Sequence, residues 1–337
     1  MTAITASPLL RCLALLLVLL SPSIVSAQIP EFDAFYVFGD SLADNGNILI
    51  QTRAMGEEPP VPPFQMYFEG RFSNGQVGFE YLWQLLRSHP ADPPDVLAPF
   101  LAAPWTERRA INFAFGGTGT PYVDTTPGGF LSPGLKGQVE LFRLALRRKR
   151  ASSHALYAIA TGANDYRDDD YNVPMKPRDV IRNIEDAIVR LYGLGARNIL
   201  VLDLPDLGKV PANSQDPIAS QEATAVSTAH NELLYTRLAR LELRNAGLRL
   251  IPIRLAPLFD RLESGGMITQ FPLIAYFFQD DPLMAACLFI NPAACADVRF
   301  LFNADSGFLF WDVVHPTTEA HRYLADYMYA QLAAEYE

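Results

Sequence analysis

Phe35-Tyr-Val-Phe-Gly-Asp-Ser-Leu-Ala-Asp-Asn-Gly-Asn47 is the stretch on which the fold turns. Ala34 to Phe38 is a short apolar run that reads as a buried strand; it stops at Gly39, and Ser41 follows two residues later. Open α/β sheets present reactive groups on such turns, just past the carboxyl end of a buried strand. Asp40, Asp44, Asn45 and Asn47 crowd the same turn with polar groups. Alone, the stretch reads equally well as an Asp/Gly/Asn turn with an incidental serine, so the rest of the chain has to decide.

Outward from this point, apolar strands and amphipathic helices alternate. Strands are expected at Ile111–Phe115, Ala155–Ala160, Asn198–Asp203 and Leu248–Leu255. Helices are expected at Phe79–Arg87, Gly137–Arg150, Pro177–Tyr192, Ala219–Ala246 and Thr317–Ala334, where apolar residues recur at helical spacing. Strands that are apolar on both sides imply a parallel sheet covered by helices on both faces. Two further strand ends carry glycine and short polar residues: Gly116-Gly117-Thr118-Gly119 and Gly162-Ala163-Asn164-Asp165. The stretch from Leu49 to Arg71 reads as irregular, because Pro59, Pro60, Pro62 and Pro63 deny it a regular ladder. Its aromatic residues Phe64, Tyr67 and Phe68 either line an apolar site or pack as cover. Residues 90–109 read as loop, and 256–310 as irregular and helical cover that includes the apolar run Phe271–Phe278.

Composition bounds the answer. The chain has 337 residues, 50% of them hydrophobic and 19% charged, enough for one large α/β domain. A net charge of −10 argues against nucleic acid as a partner. At the N-terminus, Arg11 precedes the apolar run Cys12–Leu20, and Val25-Ser26-Ala27 follows. That order predicts a secretory signal peptide over residues 1–27 and a mature domain over 28–337. Nine apolar residues fall short of the roughly 20 that span a bilayer, so no transmembrane segment is expected in the mature chain. The expected location is therefore secreted or periplasmic. Cleavage removes Cys12 and leaves Cys287 and Cys295, an even pair that predicts a disulfide in an oxidising compartment. Asp168-Asp169-Asp170 lacks calcium-ligand spacing and reads as a solvated loop.

The remaining chemistry lies just ahead of the last helix, in Asp312-Val-Val-His315. A serine hydroxyl is barely ionised near neutral pH and needs a base, for which histidine has the suitable pKa. A carboxylate must then hold the imidazole in one tautomer and stabilise its charged form. Only five histidines are present. His89 and His154 lie in loop-like contexts, and His230 and His321 lie in helices. None of the four has an acid at comparable spacing in a loop beside a strand end. Taken alone, His315 reads no less well as a surface or helix-capping residue.

Taken together, these blocks resemble the GDSL (SGNH-hydrolase) family of lipases and esterases over about residues 34–334. Gly39-Asp40-Ser41-Leu42 with Ala43-Asp44-Asn45-Gly46-Asn47 is similar to its nucleophile block, and Asn112–Gly117 to its glycine block. Gly162–Asp165 is similar to its G-x-N-D block and Asp312–His315 to its D-x-x-H block, all in the family's order. Leu204–Gly208 and Asn231 with Leu234 fit the branch of plant-type lipases and secreted bacterial esterases. The resemblance implies Ser41 as nucleophile, His315 as general acid and base, and Asp312 as the orienting carboxylate. It implies an oxyanion hole made by the backbone N–H groups of Ser41 and Gly117 and the side-chain amide of Asn164. It also implies a flavodoxin-like three-layer sandwich with a five-stranded parallel sheet, and neither metal nor cofactor. The expected activity is hydrolysis of a small-molecule or lipid ester through an acyl-enzyme, with transient contact to a lipid surface. An acyltransferase is the alternative, ahead of a carbohydrate acetylesterase or a non-catalytic binding module.

Overall fold

The sheet is built from segments that water cannot reach on either side. In the computed structural model, which describes residues 29–58, 60–63, 67–87, 96–102, 109–126, 129–167, 174–267 and 307–336, the elements follow the expected alternation. They run β1 (Phe35–Gly39), α1 (Asn47–Met55), α2 (Gly78–Leu86), β2 (Ala98–Pro99), β3 (Ala110–Asn112), β4 (Asp124–Thr126), β5 (Phe130–Ser132) and α3 (Leu135–Ala145). Then come β6 (Leu156–Ala160), α4 (Pro177–Leu194), β7 (Asn198–Leu202), α5 (Pro217–Arg244), β8 (Arg249–Ile253), α6 (Leu255–Ser264) and α7 (Thr318–Glu335). The expected leader, Phe64, Asp168–Asp170, Phe271–Phe278, Cys287 and Cys295 lie outside the described residues.

One six-stranded sheet runs β2-β3-β1-β6-β7-β8, with every pair parallel. Alternate side chains leave it on opposite faces. Phe38 and Tyr157 join Val139, Phe142, Ile184, Leu191 and Leu234 of α3, α4 and α5 on one face. Phe35 and Val37 join Phe79, Trp83, Met328 and Leu332 of α2 and α7 on the other. The chain is thus the expected three-layer α/β sandwich, with one strand more than the expected five. The addition is β2, two residues inside a proline-rich segment that reads as loop. Pro99 lacks an N–H and is tolerated because β2 is an edge.

One other expectation changes, and two segments gain detail. The irregular stretch from Leu49 begins as helix α1, because the prolines start only at Pro59. The helix ends at Gly56, whose φ of 80° supplies a left-handed cap. Residues 124–132 form a short antiparallel hairpin, β4–β5, which the sequence pattern does not announce. The first part of the irregular 256–310 segment is helix α6, and residues 268–306 lie outside the described part. Among the described residues, no helix is long and apolar enough to cross a membrane.

Topology fixes where a site can form. From β1 the chain moves outward to β2 and β3, crosses back over β1 to β6, and continues the other way through β7 and β8. Strand order therefore reverses at β1, and the crevice beyond the carboxyl end of β1 is the place where open α/β sheets bind ligands. Ser41 stands there.

Candidate active site

The turn after β1 is shaped by close packing. A Cβ on Gly39 would lie 2.3 Å from the Ala160 carbonyl oxygen, so only glycine lets β1 end this tightly against β6. The Asp40 carbonyl accepts the N–H groups of Ala43 and Asp44, which closes the turn and leaves Ser41 at its crest, 8% exposed. A buried amide splints the strand end: Gln138 of α3 accepts the Gly39 N–H at 2.8 Å and donates to the Gly39 carbonyl at 2.8 Å.

The Asp312–His315 turn brings an imidazole to that crest. Asp312 Oδ1 accepts the N–H groups of Val314 at 2.8 Å and His315 at 2.7 Å. The His315 carbonyl accepts the Trp311 N–H at 2.7 Å. Asp312 Oδ2 lies 2.6 Å from His315 Nδ1, and His315 Nε2 lies 2.9 Å from Ser41 Oγ. The structure thus brings Ser41, His315 and Asp312 into one continuous hydrogen-bonded chain from opposite ends of the sequence. Burial raises the Asp312 carboxyl, but the His315 charge and the donors around it hold it below the usual carboxylate range. Oδ2 also accepts the Tyr67 hydroxyl at 2.7 Å.

The glycine loop and Asn164 meet beside this chain. Gly117 follows β3 with φ 77°, a conformation that favours glycine. Asn164 begins the single turn Asn164–Tyr166 after β6 and donates its side-chain amide to the Thr118 carbonyl at 3.1 Å. Its carbonyl oxygen accepts from Arg167 at 3.1 Å, and Arg167 also donates to the Gly117 carbonyl at 3.2 Å. Asp165 grips the same loop by accepting the Thr120 N–H at 3.0 Å and its hydroxyl at 2.6 Å.

Underneath, three buried polar residues lock the nucleophile turn to the glycine loop. The Asp44 carboxylate accepts four N–H groups: Gly46 at 2.8 Å, Asn47 at 2.7 Å, Ile48 at 3.1 Å and Gly116 at 2.8 Å. It satisfies the open N–H groups at the start of α1, where negative charge is favoured, and pins the glycine loop at the same time. Asn47 donates to the carbonyls of Asn112 and Ala114, and Asn112 donates to that of Ala43 at 2.6 Å. Burial pushes Asp40 up to about 7, and Asp44 and Asp165 up to about 6, against their hydrogen-bond donors.

Asp44, Asn47, Asn112, Gln138 and Tyr67 are the functional supports that sequence reasoning leaves without a role. Asp44 has a local signal, a short acid ahead of an apolar helical run. Gln138 reaches across 99 residues and Tyr67 across 245, so neither has one.

The family described as GDSL-like Lipase/Acylhydrolase matches residues 35–328. A phosphatidylcholine-sterol acyltransferase of Aeromonas hydrophila is 29% identical over 91% of this chain and 92% of its own length. A GDSL esterase/lipase of Arabidopsis thaliana is 23% identical over 90% of each chain. A solved G-D-S-L lipolytic protein of Veillonella parvula covers 88% of this chain and 96% of its own, at 12% identity and a TM-score of 0.42.

Proposed function

The chain belongs to the GDSL-like lipase/acylhydrolase family and is an ester-hydrolysing enzyme, and we propose that it works through an acyl-enzyme on Ser41. The observation that carries this reading is the 2.9 Å approach of His315 Nε2 to Ser41 Oγ, with Asp312 behind Nδ1. Ser41 Oγ bonds to the ester carbonyl carbon while Nε2 takes its proton. The tetrahedral oxyanion collapses, the C–O bond to the alcohol breaks, and His315 returns the proton to the leaving oxygen. Water repeats the sequence, giving its proton to His315 and releasing the acid and free Ser41. Asp312 holds the imidazole in the tautomer that leaves Nε2 unprotonated and stabilises the charged ring. The oxyanion is received by the N–H groups of Ser41 and Gly117 and by Asn164. One amide hydrogen of Asn164 is engaged by Thr118, which leaves the second for the substrate. Ser41→Ala is expected to abolish hydrolysis of p-nitrophenyl esters and labelling by a fluorophosphonate, with the thermal melt unchanged. Residual hydrolysis at the parent rate would exclude Ser41 as the nucleophile.

A second reading replaces water with an alcohol as acyl acceptor. It is favoured by the acyltransferase from Aeromonas, which matches nearly end to end. Product analysis separates the two: with a long-chain alcohol added, a transferase yields the new ester faster than free acid.

The order of residues 1–27 supports export with cleavage after Ala27, into the periplasm or the medium, and a single domain from residue 28 on. Mass spectrometry of the exported protein is expected to begin at Gln28. Exposed Tyr122, Val123 and Leu131, on and beside the β4–β5 hairpin, support transient contact with a lipid surface. A Cys287–Cys295 bridge predicts no titratable thiol in the exported protein until reductant is added.

A further inference from the structure

Residues 67–74 form a strap across the Asp312–His315 turn. The Phe68 N–H donates to the Ser73 carbonyl at 2.9 Å, and Arg71 pairs with Glu80 of α2 at 2.6 Å. From this anchored base, Ser73 donates to the Pro316 carbonyl at 2.9 Å, and Asn74 accepts the Thr318 N–H at 2.8 Å. The Phe72 ring lies 5.0 Å from the His315 ring and fills the space beside Gly116, where a Cβ would come within 2.2 Å of it. At the end of the strap, the Tyr67 hydroxyl donates to Asp312 Oδ2 at 2.7 Å. That oxygen is the one paired with His315 Nδ1 at 2.6 Å, while Oδ1 is occupied by two backbone N–H groups.

Resting on the acyl-enzyme reading above, we propose that Tyr67 is a positioning residue of the triad: its hydroxyl fixes the plane of the Asp312 carboxylate and tempers the charge that this carboxylate presents to His315. An ionised carboxylate has about four lone-pair positions, and here the fourth donor is Tyr67. With all four filled, the group has one orientation, and its charge is shared between the imidazole and the other donors. Removing the Tyr67 hydroxyl frees a lone pair at Oδ2, so the carboxylate stabilises imidazolium more strongly and holds the ring less firmly. Among the described residues, the other titratable groups coupled electrostatically to His315 are Asp40, from the turn after β1, and His321, from α7. Both stay in place when Tyr67 alone is changed.

The test compares Tyr67→Phe with the parent by two readouts. One is the pH profile of kcat/KM for a p-nitrophenyl ester, whose acid limb reports the essential base of the free enzyme. The other is the titration of the His315 ring protons by NMR in a Ser41→Ala background, which needs no turnover. Tyr67→Phe is expected to move both midpoints upward by about 0.5–1 unit and to lower kcat roughly tenfold, with KM near the parent value. Fluorotyrosine at position 67, a stronger donor of nearly the same shape, is expected to move both midpoints downward and serves should the phenylalanine variant fail to fold. Unchanged midpoints in the variants that fold, or a rise in KM alone, overturn the proposal. Ester hydrolysis that survives Ser41→Ala sinks the acyl-enzyme reading instead, and the ring titration still decides whether Tyr67 acts on His315 through Asp312.

Discussion

Replacing Asp44 by asparagine removes one acceptor oxygen from the support beneath the site and changes little else in shape. The variant can keep Oδ1 toward the N–H groups of Gly46 and Asn47. It then turns an amide N–H₂ toward the N–H groups of Ile48 and Gly116, which the carboxylate accepts at 3.1 Å and 2.8 Å. Both N–H groups are buried, and an unsatisfied buried donor costs about 1–3 kcal/mol, so the pair amounts to about 2–6 kcal/mol. Against this, burial holds the Asp44 carboxyl at about 6, so at pH 8 the neutral amide is spared roughly 3 kcal/mol of desolvation. The net is a loss of up to about 3 kcal/mol, measurable against a typical total of about 5–15 kcal/mol. Urea unfolding at pH 8, where a carboxyl that burial holds at about 6 is ionised in the parent, reads it directly. The Gly116 contact also holds the loop that carries Gly117, so kcat is expected to fall more than KM rises. A loss of stability below about 1 kcal/mol, with kcat unchanged, would refute the assignment of Asp44 as the tie between the nucleophile turn and the glycine loop.

Other consequences are open to direct measurement. Asn164→Ala is expected to lower kcat by about 10²–10³ with little change in KM, and steady-state kinetics that show KM rising alone would remove Asn164 from the oxyanion hole. Gly39→Ala drives a methyl to 2.3 Å from the Ala160 carbonyl oxygen and is expected to lower the melting temperature and yield, whereas a parent-like melt would mean that β1 and β6 part at little cost. His321 is buried and held down to about 3 by desolvation, then by His315, below its usual 6.5. The unfolded chain therefore binds this proton first, and the fold loses about 1.4 kcal/mol per pH unit on this account as pH falls from 6.5 toward 3. His321→Gln is expected to destabilise less, relative to the parent, at pH 5 than at pH 7, and an unchanged difference would contradict the depressed titration.

The sheet and its covering helices were legible because their residues repeat a local rule. β6 and β7 are apolar at every position that the sheet buries on both sides, and α4 presents Val180, Ile181, Ile184, Ile188 and Leu191 along one stripe. The candidate site was legible only as four separate blocks in order, each weak by itself. What escaped was decided over distance or against composition. The prolines after Pro59 masked α1, although Gly56 marked its end. β2 consists of two residues and carries no period. Asn112 and Gln138 are ordinary polar residues in sequence, and only the folded sheet shows that their amides replace backbone partners at the ends of β1 and β3.

Ser41 and His315 are 274 residues apart in the chain. Ser41 is made with the first strand of the sheet, whereas His315 is made only with the turn before α7, where Asp312 and the Phe72 ring hold it. A growing chain therefore carries Ser41 without His315 until every described strand of the sheet has been made. The Ser41–His315 pair forms only when the first strand of the sheet and the segment ahead of α7 meet, so the pair itself reports that the described sheet has assembled. On the proposed acyl-enzyme reading, a chain cut before residue 315 is inert toward esters even if its sheet folds.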